Sequence, residues 1–266
     1  MPNIIHPTAI IAPSVKLGDN VSVGPYTVID GDVVIGDNAE IQSHCYITGF
    51  TKIGNGCRIF PSAMIGSEPQ DKKFKRGVKT FLEIGENNII REFCTMNPGT
   101  VDGGTITRAG NNNLFMAYCH VAHDCQVGND CVFANAATLA GHVHVEDRVV
   151  VGGLTGIHQF VHVGKMSIVG GCSKVVQDIP PYSMCDGHPA EVYNINAIGL
   201  KRAEVSLKTV KLIKEAFRIL FYMGLGKTNA IEKIEKEVEL VPEVQHIIDF
   251  AQASERGLCG AGTPSE

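Results

Sequence analysis

The chain has 266 residues, is 44% hydrophobic and carries a formal net charge of −5. This fits one large domain, or one domain with a smaller appendage, and gives no reason to expect nucleic acid or an anionic membrane as a partner. There is no apolar run of the ~18–20 residues that a membrane span requires, and the first residues, MPNIIHPTAII, resemble neither a signal nor a transit peptide. We therefore expect a cytoplasmic protein whose cysteines stay reduced.

A six-residue repeat dominates the chain. Every sixth residue is aliphatic from Ile5 to Ile65, and a six-residue period of apolar positions runs again from Ala109 to Val175. Neither the helical period of 3.6 nor the strand period of 2 explains it, whereas a short strand plus a turn does. Three such units make one triangular coil, so the pattern predicts a solenoid of about nine coils over residues 1–190. The period breaks at 67–82, which predicts an extruded loop, and slips again at VDGGTITR, residues 101–108.

The cysteines follow the same repeat. Six of the nine lie four places after the aliphatic residue, at the second inward position: Cys45, Cys57, Cys94, Cys119, Cys125 and Cys131. Cysteine acts there as a small hydrophobic residue, and no C-x-x-C pair is present. We therefore expect core packing, and neither zinc sites nor disulfides.

Polar residues recur in three consecutive coils. Residues eighteen apart stack about 4.8 Å above one another, which places His123, then Gly141 with His142, then His158 with Gln159 on one face. Because Gly141 shares the hexad position of His123, its bare backbone should lie directly over the imidazole. This face is therefore a candidate site.

A second column contains Asn135, Gly153 and Gly171. Two stacked glycines leave a bare strip of backbone that suits a long, thin ligand. They equally suit turn positions that require a positive φ. The pattern alone does not separate these interpretations.

The hexad pattern ends near residue 190. Helical periodicity then places five apolar residues on one stripe, with Gly224 as a stop signal: Leu207, Val210, Ile213, Phe217 and Leu220. TNAIEKIEKEVEL and PEVQHIIDFAQAS predict two more helices, the second opened by Pro242. We expect a helical domain over 191–258 that covers the end of the prism, and a disordered tail over 259–266 with no role for Cys259.

Five strings, in this order on a hexapeptide solenoid, carry a family resemblance: HVAHDC, ATLAGHV, GIHQF, VGGCSKVVQDIPPY and NAIGLKR. The chain resembles the UDP-N-acetylglucosamine acyltransferases, which perform the first step of lipid A synthesis. The resemblance implies a mainly β protein, a left-handed parallel β-helix with an all-α C-terminal domain, assembled as a homotrimer with active sites between subunits. It also implies transfer of a 3-hydroxyacyl group to the 3-position of UDP-N-acetylglucosamine. The partner is acyl carrier protein, whose phosphopantetheine carries the acyl chain, so no separate cofactor and no metal are expected.

The resemblance assigns His123 as the catalytic base, Asp124 as its orienting carboxylate, and the backbone N–H of Gly141 as oxyanion donor. A neutral imidazole can take the sugar hydroxyl's proton near pH 7, and no covalent acyl-enzyme is needed. The stacking of Gly141 over His123 agrees with this assignment, because it puts the N–H of Gly141 and the imidazole within range of the same substrate carbonyl.

The resemblance also implies contacts with the substrates. The matching positions are His120, His142, His158 and Gln159 near the base, Gln70, Asp71 and Lys73 in the loop, and Asn196 and Arg202 at the entry to the helical domain. Gly171 matches the position that limits acyl length, so glycine there, with Gly153 and Asn135, implies a groove for a long chain.

Three positions depart from the family pattern. Ala203 replaces a second arginine, Asn97 stands where many relatives carry histidine, and GHPA replaces GNPA at 187–190. The missing guanidinium removes one potential charge-assisted hydrogen bond to the diphosphate.

Other reactions occur on the same prism. A sibling N-acyltransferase has a different N-terminal domain, and acetyltransferases that use coenzyme A lack GIHQF. A trimeric metal hydratase would use three histidines, here His120, His123 and His142, but would leave Asp124 and Gly141 without a purpose. The sequence leaves open a 3-hydroxyl or a 3-amino acceptor.

Overall fold

Each hexad folds as a short strand followed by a turn, in a computed structural model that describes residues 2–262. The first strands are β1 (Ile4–Ile5), β2 (Ile10–Ile11), β3 (Lys16–Leu17), β4 (Ser22–Val23), β5 (Val28–Ile29), β6 (Val34–Ile35), β7 (Glu40–Ile41), β8 (Tyr46–Ile47), β9 (Phe50–Ile53), β10 (Arg58–Ile59), β11 (Met64–Ile65), β12 (Phe81–Ile84), β13 (Ile89–Ile90) and β14 (Thr95–Met96). The remaining strands are β15 (Ile106–Ala109), β16 (Leu114–Phe115), β17 (His120–Val121), β18 (Gln126–Val127), β19 (Val132–Phe133), β20 (Thr138–Leu139), β21 (His144–Val145), β22 (Val150–Val151), β23 (Gly156–Ile157), β24 (His162–Val163), β25 (Ile168–Val169), β26 (Lys174–Val175), β27 (Ser183–Gly187) and β28 (Ala190–Ile195).

The strands form three sheets, which are the three faces of a triangular prism. Face A has eleven strands, from β1 through every third strand to β25 and then β27 and β28; face B has nine, from β2 to β26; face C has eight, from β3 to β24. Apart from the antiparallel pair β27–β28, pairing is parallel, and His120 lies opposite Thr138, an offset of eighteen residues. The predicted left-handed parallel β-helix is therefore confirmed.

Strand residues alternate between solvent and core because the strand period is two. In β17, for example, His120 is partly exposed and Val121 is buried. The six cysteines predicted to point inward are all buried. The thiol of Cys125 donates to the carbonyl of Ala140 at 3.1 Å, so these residues pack as small core side chains.

Side chains of Asp and Asn connect the coils at the edge where face C turns into face A. The Asn129 side-chain oxygen accepts the backbone N–H of Asn111 at 2.8 Å, and the Asp147 carboxylate accepts that of Asn129 at 2.7 Å. Asp37, Asn55 and Asn111 make the same bond further up the edge. This ladder satisfies turn N–H groups that the strands leave unpaired.

Both interruptions of the repeat leave the prism at the edge between faces B and C. The longer one lies between β11 and β12, and the shorter one, with a 3-10 turn at Val101–Gly103, lies between β14 and β15. The first was predicted to end at residue 82, but β12 already begins at Phe81, where Phe81 pairs with Phe50.

The helices are α1 (Ala197–Arg202), α2 (Leu207–Tyr222), α3 (Lys227–Glu237) and α4 (Pro242–Ala253). Pro242 opens α4 as predicted, and α2 ends before Gly224, which has a φ of 66°. Within residues 2–262 no helix is both long and apolar enough to cross a membrane.

The antiparallel pair β27–β28 closes the last coil of the prism. The predicted domain boundary at 190/191 falls inside this pair, so the helical part begins at Ala197 instead. The Tyr222 hydroxyl of α2 bonds the Val192 carbonyl of β28 at 3.3 Å, which places the helices against this end.

The prediction of a disordered tail is wrong for residues 259–262. Cys259 is buried, its N–H donates to the carbonyl of Asp178 at 2.9 Å, and Ala261 bridges to Val192. The tail therefore adds backbone pairing to the end of the prism. Residues 263–266 lie outside the described part of the chain.

Burial predicts how the thiols react. Only Cys172 is exposed among the nine cysteines, so a maleimide should label at most one thiol per native chain and nine in denaturant. Mass spectrometry of intact protein measures both counts, and Cys172→Ala should abolish native labelling. Rapid labelling of several thiols in native protein would contradict the packing described above.

Candidate active site

The predicted site lies at an edge of the prism rather than on the flat of a face. His123 and Asp124 form the turn between β17 and β18, Gly141 and His142 the turn between β20 and β21, and Gln159 lies in the turn between β23 and β24. The first two residues of each hexad form the strand, so the polar residues that follow fall in turns. Three successive turns at the edge between faces B and C therefore carry the site.

A buried carboxylate holds the imidazole of His123. Its Nδ1 lies 2.7 Å from Oδ2 of Asp124, whose side chain is fully buried. Asp124 also accepts the N–H of Thr100 at 2.8 Å and the Thr100 hydroxyl at 2.6 Å. Burial alone would raise the pKa of Asp124, but the hydrogen bonds from His123 and Thr100 outweigh it and lower that pKa. The ionised carboxylate keeps the proton on Nδ1 and leaves Nε2 as a proton acceptor.

Gly141 lies directly over the imidazole, as the stacking predicted. A Cβ at this position would lie 2.7 Å from Nε2 of His123, so any larger residue would displace the ring. Among residues 2–262 no acceptor is found for the Gly141 N–H, although its carbonyl accepts the N–H of Phe160 at 3.2 Å. A proton acceptor and a free backbone donor are therefore neighbours.

Two further histidines adjoin the base. His142 stacks on Phe160 with ring centroids 4.5 Å apart and meets His123 edge-on at 5.1 Å. His120 bonds the Thr95 hydroxyl through Nδ1 at 2.6 Å. Burial lowers the pKa of both His120 and His142, so both are neutral near pH 7.

The long loop reaches the same edge. Burial lowers the pKa of His142, and the charges of Asp124 and, more weakly, Asp71 partly oppose this lowering. Asp71 also accepts the N–H of Lys73 at 2.9 Å. The base of the loop is held by Asn97, whose amide donates to the carbonyl of Ser67 at 3.0 Å.

Gln70, Lys73, His158 and Gln159 have exposed side chains. His158 Nδ1 lies 3.2 Å from the carbonyl of Gln159. These four side chains have no described contact with His123, so their predicted substrate contacts remain predictions.

Two predicted groups lie at other edges of the chain. Asn135, Gly153 and Gly171 stack as predicted, in turns between faces A and B: a Cβ on Gly153 would lie 3.1 Å from the Asn135 carbonyl. Asn196 caps α1 and Arg202 ends it, beside the edge between faces C and A. One chain therefore does not bring all predicted site residues together.

Asn196 has a structural task that the sequence analysis missed. It is buried, its Oδ1 accepts the N–H of Gly199 at 2.9 Å, and its amide donates to the carbonyl of Met166 at 2.7 Å. It caps α1 and ties it to the prism, so it positions Arg202.

Sequence reasoning also missed Thr100, Thr107 and Phe160. Thr107 accepts the N–H of Asp124 at 2.7 Å, and Gly103 packs so closely on the carboxylate that no side chain fits there. The slip of the repeat at VDGGTITR was the available signal, because a break beside the predicted base implies a local task. Phe160 stood in GIHQF but received no role.

Three residues have the donor types of a metal site: His123, Asp124 and His142 place one ligand-type atom each within 4.8 Å of one another. However, Oδ2 of Asp124 already accepts from both His123 and Thr100. These donors fit a histidine–carboxylate pair better than a metal ion, which would compete for the same lone pairs.

In these hexapeptide coils a histidine held by a carboxylate lies against a free backbone N–H. This arrangement defines a hexapeptide-repeat transferase. The bacterial transferase hexapeptide profile matches residues 14–49, 32–67 and 110–141. The profile of the second domain of UDP N-acetylglucosamine O-acyltransferase matches residues 178–259. A protein of Thiobacillus denitrificans named acyl-[acyl-carrier-protein]–UDP-N-acetylglucosamine O-acyltransferase is 51% identical over 254 residues, which cover 96% of this chain and 98% of its own. The chain belongs to the UDP-N-acetylglucosamine O-acyltransferase family.

Solved structures agree. The UDP-N-acetylglucosamine acyltransferase of Bacteroides fragilis superposes with a TM-score of 0.94 at 42% identity, covering 96% of this chain and 99% of its own. The corresponding Acinetobacter baumannii structure gives 0.94 at 44% identity, with 96% and 99% covered.

The Thr100–Asp124 bond predicts a pH-dependent stability difference. Thr100→Val keeps the backbone N–H but removes the hydroxyl, and should lower the free energy of unfolding at pH 7 by about 1.5–3 kcal/mol. Because the folded pKa of Asp124 is lowered, its contribution is present above the unfolded pKa of about 3.9 and is lost as pH falls through the folded pKa. Urea unfolding at pH 7 and at a pH well below about 3.9 should show the difference shrinking. Thr100→Ser is the control, and a difference equal at both pH values would contradict the assignment.

Proposed function

We propose that this protein transfers a 3-hydroxyacyl group from acyl carrier protein to the 3-hydroxyl of UDP-N-acetylglucosamine, the first step of lipid A biosynthesis. The names of its relatives support the donor, the acceptor and the O-acyl product. The observation that carries the proposal is the imidazole of His123, held by a buried carboxylate against the free N–H of Gly141. We also place the enzyme in the cytoplasm, as the sequence analysis expects.

The reaction needs one proton acceptor and one oxyanion donor. Nε2 of His123 takes the proton of the sugar 3-hydroxyl as its oxygen attacks the thioester carbonyl carbon. The carbonyl oxygen becomes an oxyanion, which the Gly141 N–H stabilises, while Asp124 stabilises the imidazolium. The C–S bond then breaks, and the leaving thiolate of the phosphopantetheine takes the proton from His123.

The proposed chemistry uses no metal and no cofactor beyond the carrier's own phosphopantetheine. Neutral His120 and His142 beside the base add no positive charge that would oppose imidazolium formation. They are free to bond the sugar.

The column of Asn135, Gly153 and Gly171 is proposed as the acyl groove. A Cβ on Gly171 would lie 3.2 Å from the Gly153 carbonyl, so any larger side chain would project into the strip. Glycine at both positions leaves room for a long chain.

A homotrimer is proposed because the three groups of site residues occupy three different edges of one chain. A ring of three prisms brings different edges of neighbouring chains together. Each site would then combine the His123 edge of one subunit with groups of the next.

Removing the base tests the mechanism. His123→Ala should lower kcat by about 10²–10⁴-fold, since a general base contributes that much. Steady-state assays with UDP-N-acetylglucosamine and 3-hydroxyacyl carrier proteins of several lengths measure this, and the wild type should prefer long chains. The control His6→Ala removes an exposed histidine far along the chain. Full activity of His123→Ala would refute the role of His123 as general base. Turnover only with a 3-amino sugar would show that the acceptor is an amine instead of the 3-hydroxyl.

Mixed trimers test whether sites are shared. His123→Ala and Arg202→Ala chains, each weakly active alone, are unfolded together in equal amounts and refolded. If each site takes His123 from one subunit and Arg202 from the next, about a quarter of the sites are intact and activity recovers to about that fraction. Recovery no greater than the average of the two variants would place both residues in one subunit's site.

A further inference from the structure

A second cleft lies at the edge between faces C and A, where α1 meets the prism. It has a volume of about 480 Å³. Val150, Ile168 and Ile198 form its apolar wall, and Arg148 and Arg202 also line it. The cleft thus joins an apolar surface to two positive charges.

These arginines differ from the other six in the chain. Each of the others has a side-chain partner: five form ion pairs with glutamates, and Arg256 donates to the Val176 carbonyl. Within residues 2–262, Arg148 and Arg202 have no ion pair within 4.0 Å and no side-chain hydrogen bond. The two arginines with unpartnered guanidinium groups therefore line one cleft.

The backbone that carries Arg148 is firmly held. Arg148 has a φ of 59° and donates its N–H to the carbonyl of Asn129 at 2.8 Å, while the preceding Asp147 accepts the N–H of Asn129 in the edge ladder. Arg202 ends α1, whose first turn is capped by Asn196. Both arginines thus project from backbone that is fixed by hydrogen bonds.

We propose that Arg148 is a further phosphate-binding residue, which acts beside Arg202 on the diphosphate of a nucleoside diphosphate sugar and supplies the guanidinium that Ala203 lacks. Ala203 lines the same cleft, so the missing arginine and Arg148 face the same space. A guanidinium bonds phosphate oxygens through two parallel N–H groups, and the apolar wall suits the flat face of a pyrimidine. The identity of the nucleotide, a uridine diphosphate, rests on the proposed function.

Glu204 also lines the cleft but pairs with neither arginine. Its carboxylate would repel a phosphate placed beside it, so the diphosphate belongs on the side of the two arginines. A carboxylate accepts hydrogen bonds from sugar hydroxyls, which suits the ribose.

Direct binding of UDP tests the inference without catalysis. Arg148→Ala should raise the Kd for UDP, measured by calorimetry, by about 10-fold or more, the effect of losing one charge-assisted hydrogen bond. Arg148→Lys should bind with intermediate affinity because an ammonium keeps the charge but loses the planar fork. In assays, KM for the sugar nucleotide should rise while KM for the acyl carrier protein and kcat stay near wild type. Arg58→Ala, which removes an exposed arginine elsewhere on face A, should leave both Kd and KM unchanged.

A second substitution supplies the rescue. Arg148→Ala combined with Ala203→Arg should regain most of the lost affinity, since both positions line the cleft. A purely structural role for Arg148 would show as a lowered melting temperature that Ala203→Arg does not restore.

Three outcomes would overturn the inference. The first is an unchanged Kd for UDP in Arg148→Ala. The second is a rise in KM for the acyl carrier protein alone, which would make Arg148 part of a docking surface for that acidic partner. The third is a wild type that transfers acyl groups yet binds no UDP. By contrast, arginine-dependent UDP binding without acyl transfer would refute the proposed function and leave this inference standing.

Discussion

The vertical spacing of parallel strands, about 4.8 Å per coil, is the constraint on which the site depends. It places residues eighteen apart in contact, and Gly141 therefore meets the imidazole of His123. The same spacing sets Phe160 against His142. A site built this way takes its geometry from backbone pairing over several coils, so no single loop has to hold it.

The buried carboxylate of Asp124 connects the regular coils to an interruption of the repeat. Asp124 lies in a turn of the repeat, yet the hydroxyl and N–H that keep it ionised come from Thr100, in the shorter interruption. Without those donors, the buried carboxylate would keep only the imidazole as a strong hydrogen-bond partner. A buried charge with so few partners would destabilise the fold. The interruption therefore supports the chemistry at the edge where it leaves the prism. The longer loop brings Asp71 to the same edge, so both departures from the repeat serve one place.

The regular half of the molecule was predictable because its signal repeats. Along the uninterrupted coils, each inward residue has stacked neighbours eighteen residues away that repeat its pattern, so the strands, the core cysteines and the Gly141–His123 contact all followed from spacing. Thr100 did not follow, since it lies where the period fails and spacing carries no information. The capping role of Asn196 could not be predicted for another reason. An asparagine before a helix can cap the helix or bind a ligand, and the sequence is the same in both cases. The ordered tail at Cys259 came from pairing with a distant segment, Asp178, which no local pattern reveals.

The shared departure point of the two interruptions has a consequence for how such a chain can change its length. Adding or deleting one residue within the repeat would turn every later side chain away from its place, inward residues outward and turn residues into strands. Eighteen residues can be gained or lost together, because the following coil then lands on the same three faces. Insertions or deletions of other lengths are harmless only at a corner of the prism. There the chain can leave the prism and return to it without altering the rotation of the following coils. Evolutionary variation in length should therefore concentrate at the corners of the prism, and a comparison of related sequences would find its gaps there.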